Sequence, residues 1–169
     1  MDVKANFHIR ILNGAEASEA RKRMKISHIA LYTKDIEKIR EFYKKYFNAI
    51  ENEKYHNVKT GLETYFLSFE GSDTKLEIMT RPEIKENPEI MTKPENIAKS
   101  EIQANSCSNI CLGYIHFAIS LGTKAKVDEL TAKIKNDGYT VLSGPRITGD
   151  GYYESCILDP ENNQIEITE

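Results

Sequence analysis

The chain has 169 residues, 40% of them hydrophobic and 29% charged, with a net charge of -3. That length suits one domain with a buried core, and the composition is that of a soluble globular protein. No basic stripe marks a nucleic acid or an anionic membrane as partner, and no apolar run approaches the roughly 18–20 residues that cross a bilayer.

Residues 1–23 show no clear hydrophobic period and no apolar run behind a basic start, so they read as a leader, tag or flexible tail ahead of Met24. The first module is expected over 24–80. It opens with a strand at 26–33, Ile-Ser-His-Ile-Ala-Leu-Tyr-Thr, where apolar residues alternate. A helix follows: Asp35 is placed to cap it, and Ile36, Ile39, Phe42, Tyr43, Tyr46 and Phe47 recur at helical spacing. A weak strand near 50–55 leads to stronger ones at 63–70 and 74–79, joined by a turn at Gly71-Ser72-Asp73. Residues 81–112 carry Pro82, Pro88 and Pro94 among Glu, Lys and Asn, and read as a long linker.

The second module, 113–169, repeats the first. Its strand at 114–120 contains His116-x-Ala118 in the phase of His28-x-Ala30. Thr123 caps a helix whose apolar stripe is Val127, Leu130 and Ile134, and Gly138 stops it. A weak strand near 139–143 precedes strands at 152–158 and 163–168, joined by the turn Asp159-Pro160-Glu161-Asn162-Asn163. The cysteines are Cys107, Cys111 and Cys156. An odd number without a secretory segment points to free thiols in a reducing, cytoplasmic setting. Cys107 and Cys111 lack the second pair or nearby His of a zinc site.

Four positions stand out from the repeat. His28 precedes Glu77 by 49 residues, and His116 precedes Glu166 by 50. Alternate side chains of a strand face opposite sides. Leu76 and Ile78 therefore face away from Glu77, and Ile165 and Ile167 face away from Glu166. Each sheet would bury an aliphatic face on its helix and present one His and one Glu on the other. A lone strand His or Glu is usually structural, but the four match in phase. Two imidazoles and two carboxylates converging in a cleft suit a divalent transition metal such as Ni, Zn, Co, Mn or Fe. His8 and His56 have no such match.

The stretch Ile26–Asp35 followed by Phe42-Tyr43, the stretch Gly113–Ala118, and Asp159–Asn163 leading into Ile165-Glu166-Ile167 resemble the glyoxalase/bleomycin-resistance/extradiol-dioxygenase group, the vicinal oxygen chelate superfamily. The resemblance covers about residues 25–168. It implies an α+β fold of two βαβββ modules forming a partly open mixed-sheet barrel around a metal.

Within that group, glyoxalase I-like enzymes take His and Glu from each module, matching His28, Glu77, His116 and Glu166. Dioxygenase-like members lack the carboxylate at the position of Glu77, epimerase-like members carry Gln there, and bleomycin-binding members lack the ligands. The resemblance therefore favours a metal-dependent, lactoylglutathione lyase-like enzyme acting on a 2-oxo-hemithioacetal, with Glu166 as the base and Glu77 as the second carboxylate. The alternatives are an epimerase or dioxygenase of the same group, or a non-catalytic protein that binds a small molecule. Tyr32, Met79, Arg81 and Tyr153 are the candidates to line a substrate. Arg81 and Arg146 are the arginines available near the cleft. The modules could pair within one chain or be exchanged in a homodimer.

Overall fold

The computed structural model describes residues 25–85 and 114–169. The expected leader, most of the linker, Cys107 and Cys111 lie outside them. The first module runs β1 (His28–Tyr32), α1 (Ile36–Phe47), β2 (Ile50–Glu51), β3 (Tyr55–Asn57), β4 (Leu62–Ser68) and β5 (Lys75–Thr80). The second runs β6 (His116–Ser120), α2 (Lys124–Asn136), β7 (Val141–Ile147), β8 (Tyr153–Leu158) and β9 (Gln164–Thr168).

Each module makes its own mixed sheet. The strand order is β1-β5-β4-β2, with β3 also on β4, in the first, and β6-β9-β8-β7 in the second. In both, the opening strand pairs parallel with the closing one, Ala30 beside Glu77 and Ala118 beside Glu166. The expected repeat is thus present, with β1, β4 and β5 answering β6, β8 and β9, as two half-barrels that do not close on each other. The weak strand near 50–55 divides into β2 and β3. Its counterpart lies later than the expected 139–143 and is longer, because Ser143 and Arg146 pair with β8 across two register shifts.

The caps act locally as their residue types allow. The Asp35 carboxylate accepts from the Lys38 N–H at 3.0 Å, and the Thr123 hydroxyl accepts from the Lys126 N–H. Asn48 ends α1 with φ 51°, a left-handed stop that Asn tolerates. Asn162 takes φ 67° in the turn before β9.

One core serves both modules. Ile39, Tyr43, Leu67 and Ile78 from the first share a buried cluster with Val127, Ile134, Ile157, Ile165 and Ile167 from the second. Helix α1 bridges them. The Tyr43 ring stacks 6.2 Å from Phe117, and Phe42 meets Tyr139 edge-on at 5.0 Å. Polar ties run beside the rings: the Tyr46 hydroxyl donates to Asp137 at 2.6 Å, and the Thr33 hydroxyl to Glu161 at 2.6 Å. The modules therefore meet through the sides of their sheets that carry the helices. Ile29 and Ile115, which strand alternation puts in phase with the aliphatic side, are 42% and 56% exposed. They lie at or just before the start of an edge strand, where little of the helix layer covers them.

Candidate functional site

Because the core takes the helix-bearing side of both sheets, the other face of each is left open. On the first sheet that face carries His28, Ala30 and Tyr32 from β1, Glu77 and Met79 from β5, and Thr64 and Phe66 from β4. The His28 Nε2 lies 3.6 Å from Glu77 Oε2, and the His28 and Phe66 rings meet at right angles with 5.6 Å between centroids. The Thr64 hydroxyl is 3.1 Å from Glu77 Oε1 and equally far from the Ile78 carbonyl, so its single proton is shared between them.

The second sheet repeats the pair. His116 Nε2 is 3.1 Å from Glu166 Oε2. Two residues of this face carried no signal in the repeat. Glu154, on β8, is nearly buried, and Arg146, on β7, reaches it with Nη2 at 3.4 Å from Oε1. Burial, and then the nearby Glu166 charge, push the Glu154 carboxyl above its ordinary value. Cys156, directly across the ladder from Glu166, has its thiol pushed up to about 11, mainly by burial.

The expected substrate-lining residues divide. Tyr32 and Met79 share the face of Glu77 and are register partners. Arg81 lies just beyond β5, beside Tyr32 in a shallow hollow with Glu83, Ile84 and Lys85, and its Nε is 2.8 Å from Glu83. Tyr153 lies apart from the other three. Its hydroxyl donates to Asp128 of α2 at 2.7 Å, and the Lys124 ammonium sits over its ring. It belongs to the helix side with Ser155 and Ile157, where Ser155 meets Thr131 at 2.6 Å. Strand alternation carries that signal, since Tyr153 has the phase of the buried Ile157.

The structure brings His28 to Glu77 and His116 to Glu166, but not the two pairs to each other. Among the described residues, no three or more His, Cys, Asp or Glu side chains gather as a metal-holding group. One face offers a nitrogen and a carboxylate, short of the three or four protein donors a transition metal usually takes. Two faces combined supply a two-His, two-carboxylate set whose chemistry fits such a metal.

The fold has counterparts in known proteins. Residues 25–167 match the model of the Glyoxalase/Bleomycin resistance protein/Dioxygenase superfamily, and the chain belongs to that family. No curated protein sequence matches. Among solved structures, a glyoxalase family protein from Enterococcus faecalis is similar with a TM-score of 0.62 at 16% identity, over 88% of this chain and 99% of that one. The trypanothione-dependent glyoxalase I of Leishmania major gives 0.60 at 16% identity, over 86% of each chain. A glyoxalase I mutant from Zea mays gives 0.62 at 18% identity, over 85% of this chain and 44% of that one. At such identities the likeness is one of fold.

Proposed function

We propose that this protein is a metal-dependent lyase or isomerase of the glyoxalase I type, acting on a 2-oxo-hemithioacetal or a related small oxygenated substrate. Its site would be completed between two copies. The observation that carries the reading is the repeated pair, His28 with Glu77 at 3.6 Å and His116 with Glu166 at 3.1 Å, each on a sheet face turned away from the shared core. In a homodimer, the first face of one copy would meet the second face of the other. His28, Glu77, His116 and Glu166 would then hold one divalent cation (Ni, Zn, Co, Mn or Fe).

Such a cation supplies Lewis-acid stabilisation of negative charge developing on vicinal oxygens, worth several kcal/mol in general. The chain's own groups divide the remaining work. Glu166 is the proton carrier, moving a proton between adjacent substrate carbons. Glu77, tied to the Thr64 hydroxyl, is the less mobile carboxylate and orients rather than transfers. Tyr32 and Met79 shape the cleft beside it. Ala30 and Ala118, the register partners of Glu77 and Glu166, leave room above the carboxylates.

The test is bound metal by elemental mass spectrometry on protein purified without an affinity metal, together with oligomeric state. About one equivalent per chain in a dimer, lost or weakened in Glu77→Gln, supports the reading and directs methylglyoxal–thiol assays across the candidate metals. A monomer that neither retains nor takes up metal sinks it. The separation of the two pairs within one chain would then favour the second reading, a metal-free small-molecule-binding protein.

A further inference from the structure

The second module buries a carboxylate that the first does without. The repeat supplies an internal control. Across the ladder, Glu77 pairs with Phe66 and Glu166 pairs with Cys156. Two residues before Phe66 stands Thr64, and two before Cys156 stands Glu154. On the next strand outward, Thr64 pairs with Tyr55 and Glu154 with Arg146. The same scaffold thus accepts a neutral hydroxyl row in one half and an ionic row in the other.

Folding does not call for the ionic row. Glu154 keeps only 12% of its side chain exposed, and burying a carboxylate near a second one is unfavourable. What Glu154 provides is a negative charge behind the Arg146 guanidinium. The Arg146 side chain as a whole stays 47% exposed on the site face. Its Nη1 donates to the Ser143 hydroxyl at 2.7 Å, and its Nη2 makes one long contact with Glu154 at 3.4 Å. Those contacts use two of the five N–H groups of an arginine. The contact to Glu154 is single and long, unlike the close two-pronged pairing that would saturate the fork. The guanidinium is braced from two sides with donors to spare, one strand removed from the strand next to Glu166.

We propose that Arg146 is a specificity-determining residue that receives a carboxylate of the substrate, with Glu154 and Ser143 as positioning residues behind it. The substrate would carry that carboxylate in addition to the oxygens that react at the His–Glu pairs, and to that extent the proposal rests on the function proposed above. Arginine suits the task because its planar fork matches a carboxylate, which a point charge does not.

The probes are L-malate and L-lactate. Both present a hydroxy-carboxylate, and malate adds one further carboxylate. Binding is measured by titration calorimetry at about 0.15 M salt, where long-range charge effects are screened. The samples are the purified full chain, Arg146→Gln, Arg146→Lys and Glu154→Gln, each checked for folding by circular dichroism. Wild type should bind malate about tenfold more tightly than lactate, the scale of one charge-assisted hydrogen bond. Arg146→Gln should abolish that preference and leave lactate unchanged. Arg146→Lys should restore part of it, and Glu154→Gln should reduce it. Equal binding of the two acids by wild type, no binding of malate, or a preference that survives Arg146→Gln overturns the proposal. Metal content of the same samples keeps the two readings apart. Metal at the His–Glu pairs without a malate preference sinks the anchor alone. A preference lost in Arg146→Gln, in protein that takes up no metal, sinks the lyase alone.

Discussion

The Thr33 hydroxyl donates to Glu161 Oε1 at 2.6 Å across 128 residues of chain, and joins the start of α1 to the last turn of the second module. The same carboxylate accepts from the Lys34 N–H and the Asp35 N–H, each at 2.9 Å. One side chain thus satisfies backbone donors at the start of a helix in the other module, where negative charge is also favoured by the helix dipole. Glu161→Ala should lower stability by about 1–3 kcal/mol, the range for a charge-assisted hydrogen-bond cluster. Urea unfolding measures this, and a change under half of that would mean the clasp contributes little.

Gly61 holds φ +66°, and a Cβ there would lie 2.8 Å from Pro82 Cδ. Both the backbone and the space oppose a side chain. Gly61→Ala should destabilise by about 1–3 kcal/mol. Gly71, which has a similar φ but nothing within 4 Å of a built Cβ, should tolerate Ala better. Equal effects at the two sites would show that backbone strain alone matters.

Asp137 gathers the Tyr46 hydroxyl at 2.6 Å and the Lys45 and Lys133 ammonium groups at 2.9 and 3.0 Å. The Tyr46 hydrogen bond first, then the lysines, hold its carboxyl well below the usual carboxylate range. A depressed folded value stabilises above the unfolded value and loses that contribution as pH falls toward the folded one. Asp137→Asn should therefore cost stability in full at pH 6 to 7. The gap to wild type should narrow once pH drops below about 4, the unfolded aspartate value. A gap constant from pH 7 to pH 3 would assign the effect to packing rather than charge.

Much of this arrangement is legible in the sequence. The phase match of His28-x-Ala30 with His116-x-Ala118, and the aliphatic flanks of Glu77 and Glu166, give both the repeat and the open face, because strand alternation is a rule of local geometry. Tyr153 was open to the same rule through Ile157. The bracing of Arg146 by Glu154 was not legible, since it depends on the register shifts of β7. Nor was the meeting of the modules through α1. The aromatic side of that helix says that Phe42, Tyr43 and Tyr46 are buried, but not that Phe117, Tyr139 and Asp137 are what they meet.

Thr64 offers a graded test of the carboxylate it holds. Thr64→Val keeps the shape and removes the hydroxyl that lies 3.1 Å from Glu77 Oε1. Loss of a hydrogen bond behind a ligand typically weakens metal affinity about 10–100-fold. A competition titration against a chelating dye should show that drop with stability little changed. Unaltered affinity would separate Glu77 from metal binding or show that its orientation is set by the strand alone.

Whether the two faces meet within a chain or between chains can be decided with two defective variants. Glu77→Gln spoils the first face and Glu166→Gln the second. If sites form between copies, a heterodimer of the two variants has one site built from both spoiled faces and one built from both intact faces. Co-refolding equal amounts gives about half heterodimers by random pairing in a two-fold dimer, so metal capacity should return to about a quarter of wild type. Each variant refolded alone should stay near zero. If each site lay within a single chain, every site in the mixture would carry one spoiled ligand and no capacity would return. The core argues for the first outcome, because Ile78 beneath Glu77 and Ile165 beside Glu166 share one buried cluster, and the two carboxylates can only face outward from it.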